Sequence, residues 1–291
     1  MRGRRGALLA VALAVAACGL GGPRPEPPVS TPPPAPTAAE RARAAAAYAE
    51  AQRLIRRPGA SEQDLSRAAD LILEAARLGN PEAQTLLAGS HLYRSDGSRD
   101  PAAALPWLTR AAFQGQVEAQ VQLARLVLDG DGTRREPAWA ALWFRRAAAR
   151  GSAEAQFALA LQQIAGIGTP ADEAEAFARL TLASDGGVAE ARRYRDALRA
   201  RVPAAQAATA LARVRGQRAT GAIASVDRPL VMFVQYALTR LGERPGAIDG
   251  IDGPATRAAL AAFARQQGIA PEGPYAAPVI DRLRERLAAM P

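Results

Sequence analysis

The chain has 291 residues, a formal net charge of +9 at neutral pH, and a composition that is 49% hydrophobic but only 5% aromatic. That length allows two domains, and the abundance of alanine over aromatic and β-branched residues favours helices over a sheet-based core. All 37 basic residues are arginine, a codon-usage bias more than a device for binding, and the chain holds one cysteine and one histidine. Those last two counts exclude an internal disulfide, and no spacing suits a zinc site.

The N-terminus reads as an export signal. Arg2, Arg4 and Arg5 form a basic head, Ala7 to Ala17 is an apolar stretch too short to span a bilayer, and Cys18 follows at once. Val15-Ala16-Ala17-Cys18 resembles the lipobox of bacterial lipoproteins. That resemblance implies that the signal peptide, residues 1–17, is removed and that the Cys18 thiol carries diacylglycerol, which would anchor the chain in a membrane. The alternative is an ordinary cleavable signal with an incidental cysteine. Loss of the three arginines lowers the net charge to +6, still suited to anionic polymers or lipid head groups. Export argues against nucleic acid as a partner. Gly19 stands where an inner-membrane retention signal would carry Asp, which points to a periplasm-facing protein of the cell envelope, held at the outer membrane.

Residues 18–37 hold the cysteine and a linker with eight prolines between Gly22 and Thr37. Proline at this density prevents helix and favours polyproline II, which at about 3.1 Å per residue reaches roughly 50 Å from the anchor.

From residue 38 the chain repeats itself. Gly79, Gly115, Gly151 and Gly187 recur at a period of 36, each followed four residues later by Ala83, Ala119, Ala155 or Ala191. Gln84, Gln120 and Gln156 follow next, then Leu87, Leu123 and Leu159. Before the glycines stand Ala75-Ala76, Ala111-Ala112 and Ala147-Ala148, with Leu71, Trp107 and Trp143 four residues before each pair. A period in the thirties with bulky and small residues on one helical face predicts two helices per repeat: helix A near 81–93 and helix B near 101–114 in the first full unit. Asp64, Asp100, Glu136 and Asp172 fall at the start of helix B, with Pro101 and Pro137 after two of them, which predicts N-caps followed by proline. The recurring glycine is the helix stop. Four units and a final helix A ending near Arg201 are expected.

These columns resemble the Sel1-like (TPR-like) repeat family, whose Ala-Gln, Leu-Ala, Gly-x-Gly, Asp, Trp and Ala-Ala-x-x-Gly pattern is visible at 115–158. The resemblance covers 38–201 and implies an all-α helical-repeat solenoid whose concave face grips an envelope protein. It departs where Arg94 and Asp96 replace the loop glycines found at Gly130, Gly132, Gly166 and Gly168, and where Arg179 replaces tryptophan. A neck at 202–226 follows; with the end of the array it carries Arg192, Arg193, Arg195, Arg199, Arg201, Arg213, Arg215 and Arg218. Those arginines could hold anionic glycan or lipid, or form a solvated helix face.

Residues 227–291 read as three short helices: one opened by Asp227 and Pro229, a second by Pro254, and a third from about Ala277 to Ala289. Gln235-x-x-Leu238-x-x-x-Gly242, then Asp249-Gly250-x-x-Gly253-Pro254-x-Thr256, then Phe263 resembles the peptidoglycan-binding domain found beside wall hydrolases and amidases. The resemblance implies a shallow glycan site at Asp249, Gly250, Thr256 and Arg257, with Gln235 in support. The same residues also have local work to do, since Asp249 and the glycines suit a turn and Thr256 lies in a first helical turn. Asp252 stands where an apolar residue is common, and Ala264 replaces the usual glutamine.

No catalytic residue, cofactor or metal is expected. His91 shares a column with Val127 and Gln163, which suits packing more than base chemistry. Asp129-Gly130-Asp131-Gly132-Thr133 lacks the distal glutamate of a calcium loop, since Ala140 stands there. Together these readings predict an envelope lipoprotein that is not an enzyme but an adaptor, with peptidoglycan, a membrane and an envelope protein as partners. Two alternatives are a lipoprotein of an exopolysaccharide export machinery and a regulatory partner of a peptidoglycan hydrolase or synthase.

Overall fold

The computed structural model describes residues 34–94, 96–217, 226–270 and 272–290. The signal peptide, Cys18, most of the proline-rich linker and Arg218 lie outside the described residues. The described part contains thirteen helices and no strand: α1 (Ala38–Arg56), α2 (Glu62–Arg77), α3 (Pro81–Leu92), α4 (Pro101–Phe113), α5 (Val117–Asp129), α6 (Pro137–Ala149), α7 (Ala153–Ala165), α8 (Glu173–Asp185), α9 (Ala189–Leu198), α10 (Ala204–Arg215), α11 (Arg228–Arg240), α12 (Pro254–Gln266) and α13 (Ala277–Ala288). Among the described residues, no helix is long and apolar enough to cross a membrane. The chain forms two compact units, one running to Ala119 and including 131–133, the other holding 120–130 and everything from Arg134.

The repeat columns act as one device at each end of helix B. Gly79, Gly115, Gly151 and Gly187 all take left-handed backbone, with φ between 90° and 97°, a region open to glycine and costly for other residues. That turn aims two N–H groups back at the helix: Gly79 and Asn80 donate to the carbonyls of Ala76 and Ala75, Gly115 and Gln116 to Ala112 and Ala111, Gly151 and Ser152 to Ala148 and Ala147. The alanine pairs therefore supply the acceptors of a Schellman closure as well as small side chains. The glutamine column completes it, since Gln84 Nε2 donates to Ala76 O at 2.9 Å and Gln156 Nε2 to Ala148 O at 3.1 Å. α3 is thereby pinned to the end of α2, and α7 to the end of α6.

The carboxylate column does three different things. Asp100 and Asp172 cap α4 and α8, accepting from Ala103 N and Glu175 N. Asp64 instead lies inside α2, in a capping box in which Ser61 is the cap. Glu136 stands at the cap position of α6 without capping it, because its side chain is engaged elsewhere. The backbone of this column is constant: Asp100, Glu136 and Asp172 donate their N–H to the carbonyls of His91, Val127 and Gln163. His91 thus serves through its carbonyl, and burial holds its imidazole pKa below the ordinary value.

The Gly-x-Gly loops ride on the start of the preceding helix B. At Gly168, φ is +72° and an added Cβ would lie 2.3 Å from the Pro137 carbonyl carbon; at Gly132, one would lie 2.5 Å from Ala102 N.

Arg179 fills its tryptophan column by hydrogen bonding instead of apolar contact. Its buried guanidinium bonds to Glu175, Gln156 Oε1 and Gln217 Oε1, tying α7, α8 and the end of α10 together. Burial pushes the Glu175 carboxyl up, but the Arg179 cation beside it outweighs that and holds it at about 2. The expected neck contains a further helix of the array. Ala210 and Val214 of α10 pack on Ala178 of α8, and Arg213 pairs with Asp172 at 3.2 Å and Glu175 at 2.9 Å. Its apolar stripe is built mostly from alanine, too small to stand out from the surrounding arginines in sequence. Arg195 pairs with Asp196 and Arg201 with Glu173, while Arg192 and Arg193 stay exposed.

Gly168→Ala should lower stability by about 2–4 kcal/mol, combining left-handed strain with overpacking. Gly187→Ala, whose added methyl meets open space, should cost only about 1–2 kcal/mol of strain. Chemical denaturation of the two variants checks the difference.

Candidate functional site

The C-terminal domain folds around Gln235. Leu230, Phe233, Val234 and Leu238 of α11, Leu260 and Phe263 of α12, and Val279, Ile280 and Leu283 of α13 form its buried apolar interior. Gln235 is a polar residue within this core, and its amide is fully engaged. Nε2 donates to Asp249 Oδ1 at 3.1 Å, Ile251 O at 3.2 Å and Thr256 Oγ1 at 3.1 Å, and Oε1 accepts from Gly250 N at 2.9 Å. The Thr256 hydroxyl donates onward to Pro245 O at 2.9 Å. Asp249 also accepts from Ile251 N; that bond and the one from Gln235 hold its carboxyl below the usual carboxylate range. Gly250 has φ +76°, and an added Cβ would lie 2.4 Å from Arg228 Cγ, so only glycine lets the turn close on α11.

Four of the five expected site residues, Gln235, Asp249, Gly250 and Thr256, therefore meet in one network that shapes the turn from inside. Gln235 and Thr256 are buried, whereas Asp249 and Gly250 are half-buried. Arg257 stands apart and is exposed. Its guanidinium donates to Asp252 O at 3.0 Å and faces the Asp252 carboxylate at 3.5 Å. Asp252 accepts the Tyr275 hydroxyl at 2.8 Å, and burial followed by this bond raises the Tyr275 pKa. The acid at a commonly apolar position thus ties the turn to the loop before α13. Beside it Ile251 is 67% exposed, giving a surface of one apolar and one cationic side chain next to fixed turn carbonyls. That combination suits the ring faces and hydroxyls of a sugar polymer.

The same domain is seated on α6 of the repeats. Arg146 forms a two-point ion pair with Asp227, Nε to Oδ2 at 2.8 Å and Nη2 to Oδ1 at 2.9 Å. Asp227 simultaneously caps α11 through Leu230 N. Arg284 of α13 forms a second two-point pair with Glu136, at 2.7 and 3.0 Å, with side chains only 4% and 6% exposed. Between these pairs the ring of Trp139 meets Phe233 edge-on at 5.1 Å, and the Arg284 guanidinium lies over its face at 4.6 Å. Sequence reasoning missed this seat, because its partners are up to 148 positions apart. Two signals could have marked it. Trp139 breaks a column held by Ala103 and Glu175, and Glu136 is a longer acid in a column otherwise of aspartates.

A buried pair broken on one side leaves an uncompensated charge, so Glu136→Gln and Arg284→Met should each cost about 3–5 kcal/mol. The double variant should cost less than the sum, with a coupling of about 1–3 kcal/mol. Urea unfolding of the mature chain and the three variants measures it.

Two family models match the chain along these divisions. The Sel1 repeat model matches residues 42–80, 81–115, 117–152 and 153–188, and the model of a peptidoglycan binding domain matches 227–275. A protective antigen of uropathogenic Escherichia coli with an SLR fold is 25% identical over 64% of this chain, with a TM-score of 0.49; the chain spans 43% of that protein's length. A Sel1 repeat protein from Oxalobacter formigenes is 26% identical over 43% of this chain and 94% of its own, with a TM-score of 0.40. No curated protein matches. With Sel1 matches covering half of its residues, the chain belongs to the Sel1 repeat family and carries a peptidoglycan-binding domain near its C-terminus.

Proposed function

We propose that the protein is an envelope adaptor that links a protein partner, held by the repeats, to peptidoglycan, held by the C-terminal domain. The observation that carries this reading is the double seat of the peptidoglycan-binding domain on α6 through Arg146–Asp227 and Glu136–Arg284. A wall contact made by residues 227–291 is thereby fixed rigidly to the helix pairs of the same unit. The partner's place is the concave face of the repeats, and the Cys18 lipid with its proline-rich spacer supplies a membrane anchor at the outer membrane. Glycan contact falls to Arg257 and the exposed Ile251, while Gln235, Asp249, Gly250 and Thr256 hold the turn that presents them. Catalysis forms no part of this role.

The test uses the mature chain, because an isolated C-terminal fragment would expose Phe233 and strand Asp227 and Arg284. Residues 18–291 with Cys18→Ser should be retained by purified, protein-free peptidoglycan sacculi at physiological salt, and Arg257→Ala should weaken retention about tenfold, as expected for the loss of one charged hydrogen-bonding group. Absence of retention by the parent chain would rule out the wall link. For the anchor, cells fed labelled palmitate should incorporate it into the full-length protein and not into its Cys18→Ser form.

A further inference from the structure

The seat of the C-terminal domain leaves a cleft of about 290 Å³ beside the Glu136–Arg284 pair. Its walls come from both modules: Arg135 precedes α6, Trp139 lies on α6, Ile167 sits in the loop between α7 and α8, and Phe233 and Arg240 belong to α11, with Met290 beyond α13. Neither the repeats nor the peptidoglycan-binding domain contains the site alone.

Its chemistry is one-sided. Among the described residues the only carboxylate in the wall is Glu136, which is consumed by Arg284 and by Arg134 at 3.2 Å. Arg135 and Arg240 line the same cleft, are exposed, and have no ion-pair partner among the described residues. The apolar lining is bulky, and Ile167 is left 41% exposed at the opening. The Trp139 indole N–H is buried and has no acceptor among the described residues.

We propose that this cleft binds the C-terminus of a partner protein whose last residue is apolar. The terminal carboxylate is received by Arg135 and Arg240, and the terminal side chain lies in the apolar part of the cleft that Ile167, Trp139 and Phe233 line. The volume suits a residue or two, not a folded surface, and the large apolar walls suit a leucine-sized side chain better than the methyl of an alanine. Two arginines that line the cleft without an ion pair among the described residues match a carboxylate, and an amide would leave them as they are. The site operates without wall binding, so its failure would leave the sacculus result untouched, and the reverse holds.

The probe is N-acetyl-Gly-Leu with a free carboxylate, titrated into the ¹⁵N-labelled mature chain. The protein has three tryptophans, so three indole N–H resonances report, and Trp139→Phe assigns the relevant one. The expected result is a saturable shift of the Trp139 resonance. N-acetyl-Gly-Leu-amide, and the acid against Arg135→Ala or Arg240→Ala, should bind about tenfold more weakly, the loss of one charged hydrogen bond. Both arginines lack ion pairs, so these variants keep the fold, and each should bind sacculi like the parent. Equal binding of acid and amide would overturn the proposal. So would an equal response to sodium acetate, which marks a simple anion site, or tighter binding of N-acetyl-D-Ala-D-Ala, which marks a peptidoglycan stem as the ligand.

Discussion

Everything in the array depends on how helix B ends. A left-handed glycine, two alanine carbonyls and a glutamine amide form a single hydrogen-bonded closure. The last carbonyls of a helix have no partner within it, and here they are met by the turn that follows and by the next helix. The closure therefore satisfies the helix end and sets where the next helix A begins. The small alanines serve both purposes, since a larger side chain there would hold the next helix away and leave the glutamine short of its carbonyl.

The peptidoglycan-binding domain borrows from the same repeat logic and alters it at one unit. In α4 and α8 the acid at the start of helix B caps its own helix. In α6 that acid is a glutamate, turned outward to Arg284. Asp227 works in the opposite sense, capping its own α11 while also gripping Arg146. Both charge pairs are bidentate and largely dry, which gives direction as well as attraction, and the aromatic contact of Trp139 with Phe233 fills the space between them. Buried ion pairs are weak evidence of net stability but strong constraints on geometry; their place here is to define one seat for the domain.

Much of this was legible in the sequence. The 36-residue period, the helix bounds and the turn residues of the C-terminal domain rest on local rules of capping, glycine conformation and helical spacing, and those rules hold at Gly79, Asp100 and Asp227. Four things were not legible. The roles of Gln235 and Thr256 as the inner knot of a turn require knowing that the turn folds back over α11. The capping by Ser61 in place of Asp64 depends on a shift of three residues that the repeat register conceals. The seat on α6 joins residues with no local relation, and α10 hides its packing face in a run of alanines. Arg179 is instructive in the same way: it departs from the repeat pattern, yet its guanidinium fills the tryptophan column by bonding to Gln156 of α7 and to Gln217 just beyond α10.

Repeat proteins change over time by gaining and losing whole units, because each unit meets its neighbours through the same closure. The Glu136–Arg284 and Arg146–Asp227 pairs single out one unit from that freedom. An inserted or deleted copy elsewhere could preserve every closure, whereas loss of the unit built on α6 would remove the glutamate, the tryptophan and the arginine that the C-terminal domain requires, and a copy of the unit built on α4 or α8 would supply aspartate in the first place and alanine or glutamate in the second. The length of this array is therefore open to change on either side of a helix pair whose identity is not.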